Sequence, residues 1–269
     1  MKLKERSRKF LALMFAALLL VPQAAVVGSV TAKVDCSPTA NTTNDLPRTV
    51  AIASNLAGTG AHALASGLSA VASRATPISA KVQPYNGPNA WMPLMENGEV
   101  EFGIINILDS YMAVTGTGNY KKPYPMLRIV SGGVFPFTGS IMVRDKSEIK
   151  RPSDLKGKRM AWDFGGHMIT QTWQNAAMEV SGLKPSDVVQ VRFSNLNDAI
   201  RAVPEGKVDA TFAAIGIGTN EEANAMEPTR FLSLPPGDAS NKILAKYGGS
   251  IVKQEPTAGI RGDTDVIGY

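Results

Sequence analysis

The chain of 269 residues contains one cysteine, two histidines and only 7% aromatic residues. A lone cysteine excludes an intramolecular disulfide, and with it the small disulfide-stapled scaffolds. The histidines, His62 and His167, have no cysteine pair or HExxH spacing beside them, so the sequence offers no metal site and no cofactor motif. No Ser or Cys sits in a nucleophile-elbow context, which leaves a hydrolytic triad without its nucleophile. Uninterrupted apolar runs are short everywhere except Phe10–Val21.

That exception explains the charge. Met1–Lys9 carries Lys2, Lys4, Arg6, Arg8 and Lys9 against Glu5, and Phe10–Val21 follows as an apolar run. Small residues come next, at Ala24, Ala25, Gly28, Thr31 and Ala32. A positive start, a short apolar middle and a small-residue exit describe a secretory signal over residues 1–32, cut after Ala25 or after Ala32. An uncleaved membrane anchor is the rival reading, and Pro22 and Gln23 interrupt it. The chain has a net charge of +5, and once the signal is set aside the remainder is near +1. The basic balance therefore gives no pointer to nucleic acid, and a periplasmic location is expected. Cys36 follows Asp35, where a lipid anchor would want a small residue, and reads as a bystander in a flexible tether over 33–48.

The rest alternates strands and helices. Thr49–Ser54 reads as a strand, Ala61–Ser73 as a helix, Ile78–Gln83 as a strand, a helix runs through Asn97, and Val100–Ile107 reads as a third strand. A second unit has strands at Ser140–Arg144, Arg159–Trp162, Val188–Phe193 and Val208–Ala213. Its helices are Met168–Val180 and Leu196–Val203, with a short helical turn at Pro152–Leu155. Such β-α-β-α-β order calls for parallel sheets covered by helices, an α/β architecture. Both units finish alike: Met95-Glu96-Asn97-Gly98-Glu99-Val100 and Val203-Pro204-Glu205-Gly206-Lys207-Val208 each read helix, glycine, strand. Two α/β lobes sharing a cleft follow, with lobe I at 49–135 and lobe II at 136–230.

Ligands of open α/β sheets sit beyond the carboxyl ends of strands, where loops enter helix N-termini. Ser54–His62, with Asn55, Gly58, Thr59 and Gly60, is one such loop, and Asp163–Thr170, with Phe164, Gly166, His167 and Thr170, is the other. Their glycines allow close backbone approach and the helix ends favour an anion, although each loop is also explained by structure alone. Phe164 offers an apolar wall. His167 suits hydrogen bonding to a ligand, and His62 a capping or surface role. Arg128, Arg144 and Arg192 are candidate carboxylate partners, with ordinary salt bridges as the simpler account.

An ordered set of motifs resembles the TAXI-type solute-binding subunits of TRAP (tripartite ATP-independent periplasmic) transporters. The set comprises Ile52–His62, Asn86-Gly87-Pro88-Asn89, Glu96–Gly103, Leu127–Val130, Ser153–Arg159 and Gly206–Phe212. The resemblance implies a type II periplasmic-binding fold and a monomeric receptor that is not an enzyme. It implies a TRAP membrane partner and a small organic anion, a carboxylate, as ligand. By position it adds Asn86, Asn89, Asn106, Asp109 and Ile215 (in the Ala214–Gly218 loop) to the ligand-binding candidates. It further implies that 231–269 begins an incomplete return toward lobe I in an apparently truncated C-terminal part. Two departures stand out. Gly166-His167-Met168-Ile169 replaces a small hydroxyl-rich loop, and Asn106-Ile107-Leu108-Asp109 replaces Gln-Ser-Asp. Both point to a larger or more apolar ligand, an aromatic or branched carboxylate. The alternatives are a secreted enzyme using His167 and Asp163, or a sensory receptor of the same fold.

Overall fold

The computed structural model describes residues 46–133 and 136–269. The signal-like segment and Cys36 lie outside the described residues. Strand β1 (Thr49–Asn55) pairs in parallel with β2 (Ser79–Tyr85) on one side and β3 (Phe102–Gly103) on the other. Helices α1 (Gly60–Ala75) and α2 (Pro88–Glu96) are the crossovers that parallel pairing requires. Alternation along β1 feeds both faces of this first sheet. Val50 and Ile52 pack with Ala65 of α1, whereas Ala51 and Ala53 join a core with Trp91 and Met92 of α2.

One expectation fails beside β3. The stretch expected as a strand over 100–107 pairs at only two residues, and helix α3 (Ile107–Thr115) starts where the strand was to end. The cause is local: Asn106 Oδ1 accepts the Asp109 N–H at 2.8 Å and caps the helix.

The second sheet contains β4 (Thr138–Arg144), β5 (Arg159–Phe164), β6 (Val189–Phe193), β7 (Ala210–Ala214), β8 (Thr229–Phe231), β9 (Ser250–Gln254) and β10 (Thr264–Gly268). Its order is β6-β5-β7-β4-β10-β9, with β8 beside β4. The helices α4 (Met168–Val180), α5 (Leu196–Ala202), α6 (Gly218–Met226) and α7 (Asp238–Leu244) connect its strands. The β5, β6 and β7 strands run parallel, as expected, but β4 runs antiparallel to β7, β8 and β10, so the sheet is mixed. The helical crossovers α4 and α5 go with the parallel pairing of β5, β6 and β7. Two α/β sheets on one chain form the type II periplasmic-binding architecture. Residues 231–269, expected to head back toward lobe I, place β9 and β10 on the second sheet instead. Strand β10 pairs with β4, and β9 in turn pairs with β10. Tyr269 nonetheless packs against a core drawn from both halves, stacking on Trp173 with ring centroids 3.9 Å apart.

The repeated turn is real down to its hydrogen bonds. Gly98 N–H donates to Met95 O and Glu99 N–H to Leu94 O, while Gly206 N–H donates to Val203 O and Lys207 N–H to Ala202 O. Both glycines are left-handed, at φ +75° and +73°, and each turn delivers a buried valine, Val100 or Val208.

Candidate functional site

The carboxyl ends of the two sheets meet loop against loop. Thr59 caps α1 by accepting the His62 N–H at 3.3 Å, which fixes the loop ahead of it. That loop lies directly on the second lobe: Asn197 Nδ2 donates to Ala57 O at 2.7 Å, and Thr219 N–H donates to Gly58 O at 3.3 Å. From the turn after β2, Asn86 Nδ2 donates to Ser194 O at 3.0 Å. Beside it a Cβ on Gly87 would stand 2.5 Å from Gly166 O and 2.9 Å from His167 Cα, so backbone meets backbone there. Further along, Asn119 Nδ2 donates to Thr172 Oγ1 at 3.2 Å.

His167 holds the middle of this seam. Its Nδ1 lies 2.6 Å from Thr170 Oγ1 and its Nε2 lies 3.0 Å from Asn55 Nδ2. An amide nitrogen can only donate, so Nε2 accepts and the ring proton sits on Nδ1, facing Thr170. Burial pushes the His167 pKa down to about 4, which keeps the ring neutral near pH 7. Asn55 Oδ1 is buried beside it and has no hydrogen-bond partner among the described residues. A buried carbonyl oxygen without a donor is costly, and a ligand donor would relieve it.

The structure thus brings Asn55, Gly58, Asn86, Gly166, His167 and Thr170 to one seam. The other candidates are occupied elsewhere. His62 Nδ1 sits 3.2 Å from Ser54 Oγ, Gly60 opens α1, and Asn89 Nδ2 donates to Asn119 O at 2.9 Å. The Phe164 side chain is buried in the core of the second lobe, where Ile215 also packs, and the residue lines the cavity at the end of β5. Asn106 caps α3, and its Nδ2 donates to Asp109 Oδ2 at 2.9 Å. Asp109 is fully buried and accepts from Tyr120 Oη at 3.1 Å, with burial pushing its pKa up to about 6. Of the arginines, Arg128 bonds its own segment at Pro125 O and Leu127 O, and Arg144 faces Asp209 at 3.8 Å. Sequence reasoning missed Asn119, Thr172, Ser194, Asn197 and Thr219. Only Asn197 and Thr219 stood on recognisable ground, each in the first turn of a helix that follows a strand.

A cavity of about 240 Å³ opens at the end of β5, lined by Trp162, Asp163, Met168, Gln171 and Arg192 and by Asn119 from the first lobe. Trp162 pairs with Arg192 and Phe164 with Phe193, which leaves Asp163 as an extra residue in a β-bulge. Asp163 is the one non-glycine residue with positive φ, +55°, among the described residues. Its N–H is held by Gln171 Oε1 at 3.0 Å, and its carboxylate faces Arg192 Nε at 3.9 Å.

Solved structures show related outlines. The periplasmic aliphatic sulphonate-binding protein SsuA from Escherichia coli is 18% identical with a TM-score of 0.46, matching 70% of this chain and 57% of its own. This chain therefore spans little more than half the length of that protein. The arginine-binding protein of T. maritima in its holo form is 15% identical with a TM-score of 0.46, matching 82% of each chain. The GluR0 ligand-binding core from Nostoc punctiforme, in complex with L-glutamate, is 16% identical with a TM-score of 0.43, matching 83% of this chain and 84% of its own. A family model matches residues 55–266, from the asparagine of the seam almost to the end of β10, and by that match the chain belongs to the NMT1-like family.

Proposed function

We propose that this protein is an extracytoplasmic solute-binding receptor that captures a small carboxylate-bearing molecule by closing its two lobes. The observation that carries this reading is the seam itself. The cross-lobe polar contacts of Asn55, Ala57, Asn86 and Asn119 arise from loops at one end of the two sheets. Loops at the carboxyl ends of open α/β sheets are where such folds bind ligands. Closure of two such loop sets around a solute is a hinge motion and needs no nucleophile. The solute in this reading is small and charged, and the partner is a transporter.

Delivery to a TRAP-type membrane transporter rests on the motif resemblance, and with it a monomeric, periplasmic receptor. Native mass spectrometry of protein purified without denaturation should reveal a bound small molecule, and thermal melting against small carboxylates should reveal a stabilised complex. His167→Ala and Asn55→Ala should lose that stabilisation while melting cooperatively. A chain that carries no adduct and is stabilised by no carboxylate would overturn the receptor reading. Uptake driven by a sodium gradient supports the TRAP partner, and uptake driven by ATP removes it.

A further inference from the structure

The cavity at the β5 bulge says more about the ligand than the seam does. Its lining holds one carboxylate, Asp163, and one guanidinium, Arg192, and no other charged group. The two face each other at 3.9 Å, with side chains 57% and 84% exposed. At that separation and exposure the pair is weakly held, and both partners are free to turn to something else. A simple anion would gain Arg192 but face Asp163, and a simple cation would gain Asp163 but face Arg192. A molecule bearing both charges satisfies both.

The backbone supports that use. The bulge with its left-handed Asp163 sets Phe164 into the core and presents Asp163 to the cavity beside Arg192. Bulges of this kind re-aim side chains next to sites, and unusual backbone angles gather there. Gln171 fixes the arrangement by holding the Asp163 N–H. Trp162 and the exposed Met168 supply the apolar part of the wall. Asn119 reaches in from the other lobe and bonds Thr172, so this cavity lies against the same closure that the seam makes. Its volume of about 240 Å³ is below that of drug-sized sites and suits a solute of amino-acid size.

We infer that the bulge cavity binds a small zwitterion with an apolar body. The carboxylate would rest on Arg192, the ammonium on Asp163, and the body on Trp162 and Met168. The inference rests on the receptor reading and narrows its ligand from carboxylates in general to those that also carry a positive charge.

Titration calorimetry on the purified protein tests it with three matched sets: L-leucine and L-phenylalanine, their des-amino acids 4-methylpentanoate and 3-phenylpropanoate, and their amines isopentylamine and phenethylamine. An amino acid should bind roughly tenfold or more tightly than either partner that lacks one charge. Asp163→Asn, which keeps a residue tolerant of left-handed angles, should erase the preference over the des-amino acid. Arg192→Gln should erase the preference over the amine. Equal binding of the amino acid and the des-amino acid overturns the inference, and so does a co-purified ligand lacking either charge. If Asn55→Ala abolishes binding while Asp163→Asn and Arg192→Gln leave it unchanged, the receptor stands and this cavity is not its recognition site. If the sets do not bind and no molecule co-purifies, both readings fall.

Discussion

The two lobes touch in two places, and the places are built differently. At the front seam, loops meet through amides, a hydroxyl and the neutral ring of His167. Behind it, one apolar core runs through both lobes, taking in Trp91, Met112 and Tyr120 of the first and Trp173 of the second, on which Tyr269 stacks. The apolar junction suits permanent attachment, since ring burial is favourable without exact direction. The polar seam suits reversible closure, since each hydrogen bond given up there can be replaced by water. One junction is a fixture and the other a latch.

That contrast can be broken most forcefully at the fixture. Trp173 is 1% exposed, and Trp173→Ala should cost about 4 kcal/mol in urea unfolding. A loss below about 1 kcal/mol would mean that the ring stack holds little.

Next in size is pH. Asp109 titrates near 6 in the folded state, above its ordinary 3.8, so the folded chain binds the proton more tightly than the unfolded one. Its contribution is fully present below pH 3.8 and is lost as pH rises through about 6, a change of about 3 kcal/mol. His167 works in the opposite sense. Its pKa falls from 6.5 to about 4, so its contribution is present above pH 6.5 and is lost as pH falls toward 4, again about 3 kcal/mol. The two slopes oppose each other between about pH 4 and 6.5. Asp109→Asn should therefore expose stability that rises with pH across that window, and His167→Gln stability that falls. Urea midpoints across the window would show both, and two unchanged profiles would refute the assignment.

Gly87→Ala should come third, at about 2 kcal/mol, because the new Cβ would meet Gly166 O and His167 Cα and drive the latch open. Gly98→Ala is its control. Nothing lies within 4 Å of a Cβ there, and only the left-handed backbone is strained, at about 1 kcal/mol. The smallest effect belongs to Asn119→Ala, which gives up one cross-lobe hydrogen bond to a hydroxyl. Its cost should be below about 1 kcal/mol in stability, with a larger effect on ligand affinity.

Much of the fold was legible in the sequence because its signals are local. The helix at Met168–Val180 and the turns at Gly98 and Gly206 follow from periodicity and from glycine placed where the backbone turns left-handed. Strand direction was not legible: Ser140–Arg144 reads as a strand in either orientation, and only its partners make it antiparallel. The helix at Ile107–Thr115 was masked by the apolar run ahead of it, although Asn106 and Asp109 carry its capping signal. At the site, the sequence singled out the glycine loops and His167 but not the contacts they make across the lobes. Gly58 makes room for the Thr219 side chain and Gly166 lies against Asn86 and Ala90, long-range facts absent from any window of sequence. The Asp163–Arg192 pair was out of reach for a related reason. The bulge that joins them depends on a register slip between β5 and β6.

The twin glycine turns have a practical side. Met95–Val100 and Val203–Val208 share the same two hydrogen bonds, the same left-handed glycine and the same buried closing valine. They are one turn written in two sequences. Exchanging them would move a charge pattern, Glu99 for Lys207, from one lobe to the other, and would set Pro204, which has no amide hydrogen, where Glu96 ends helix α2.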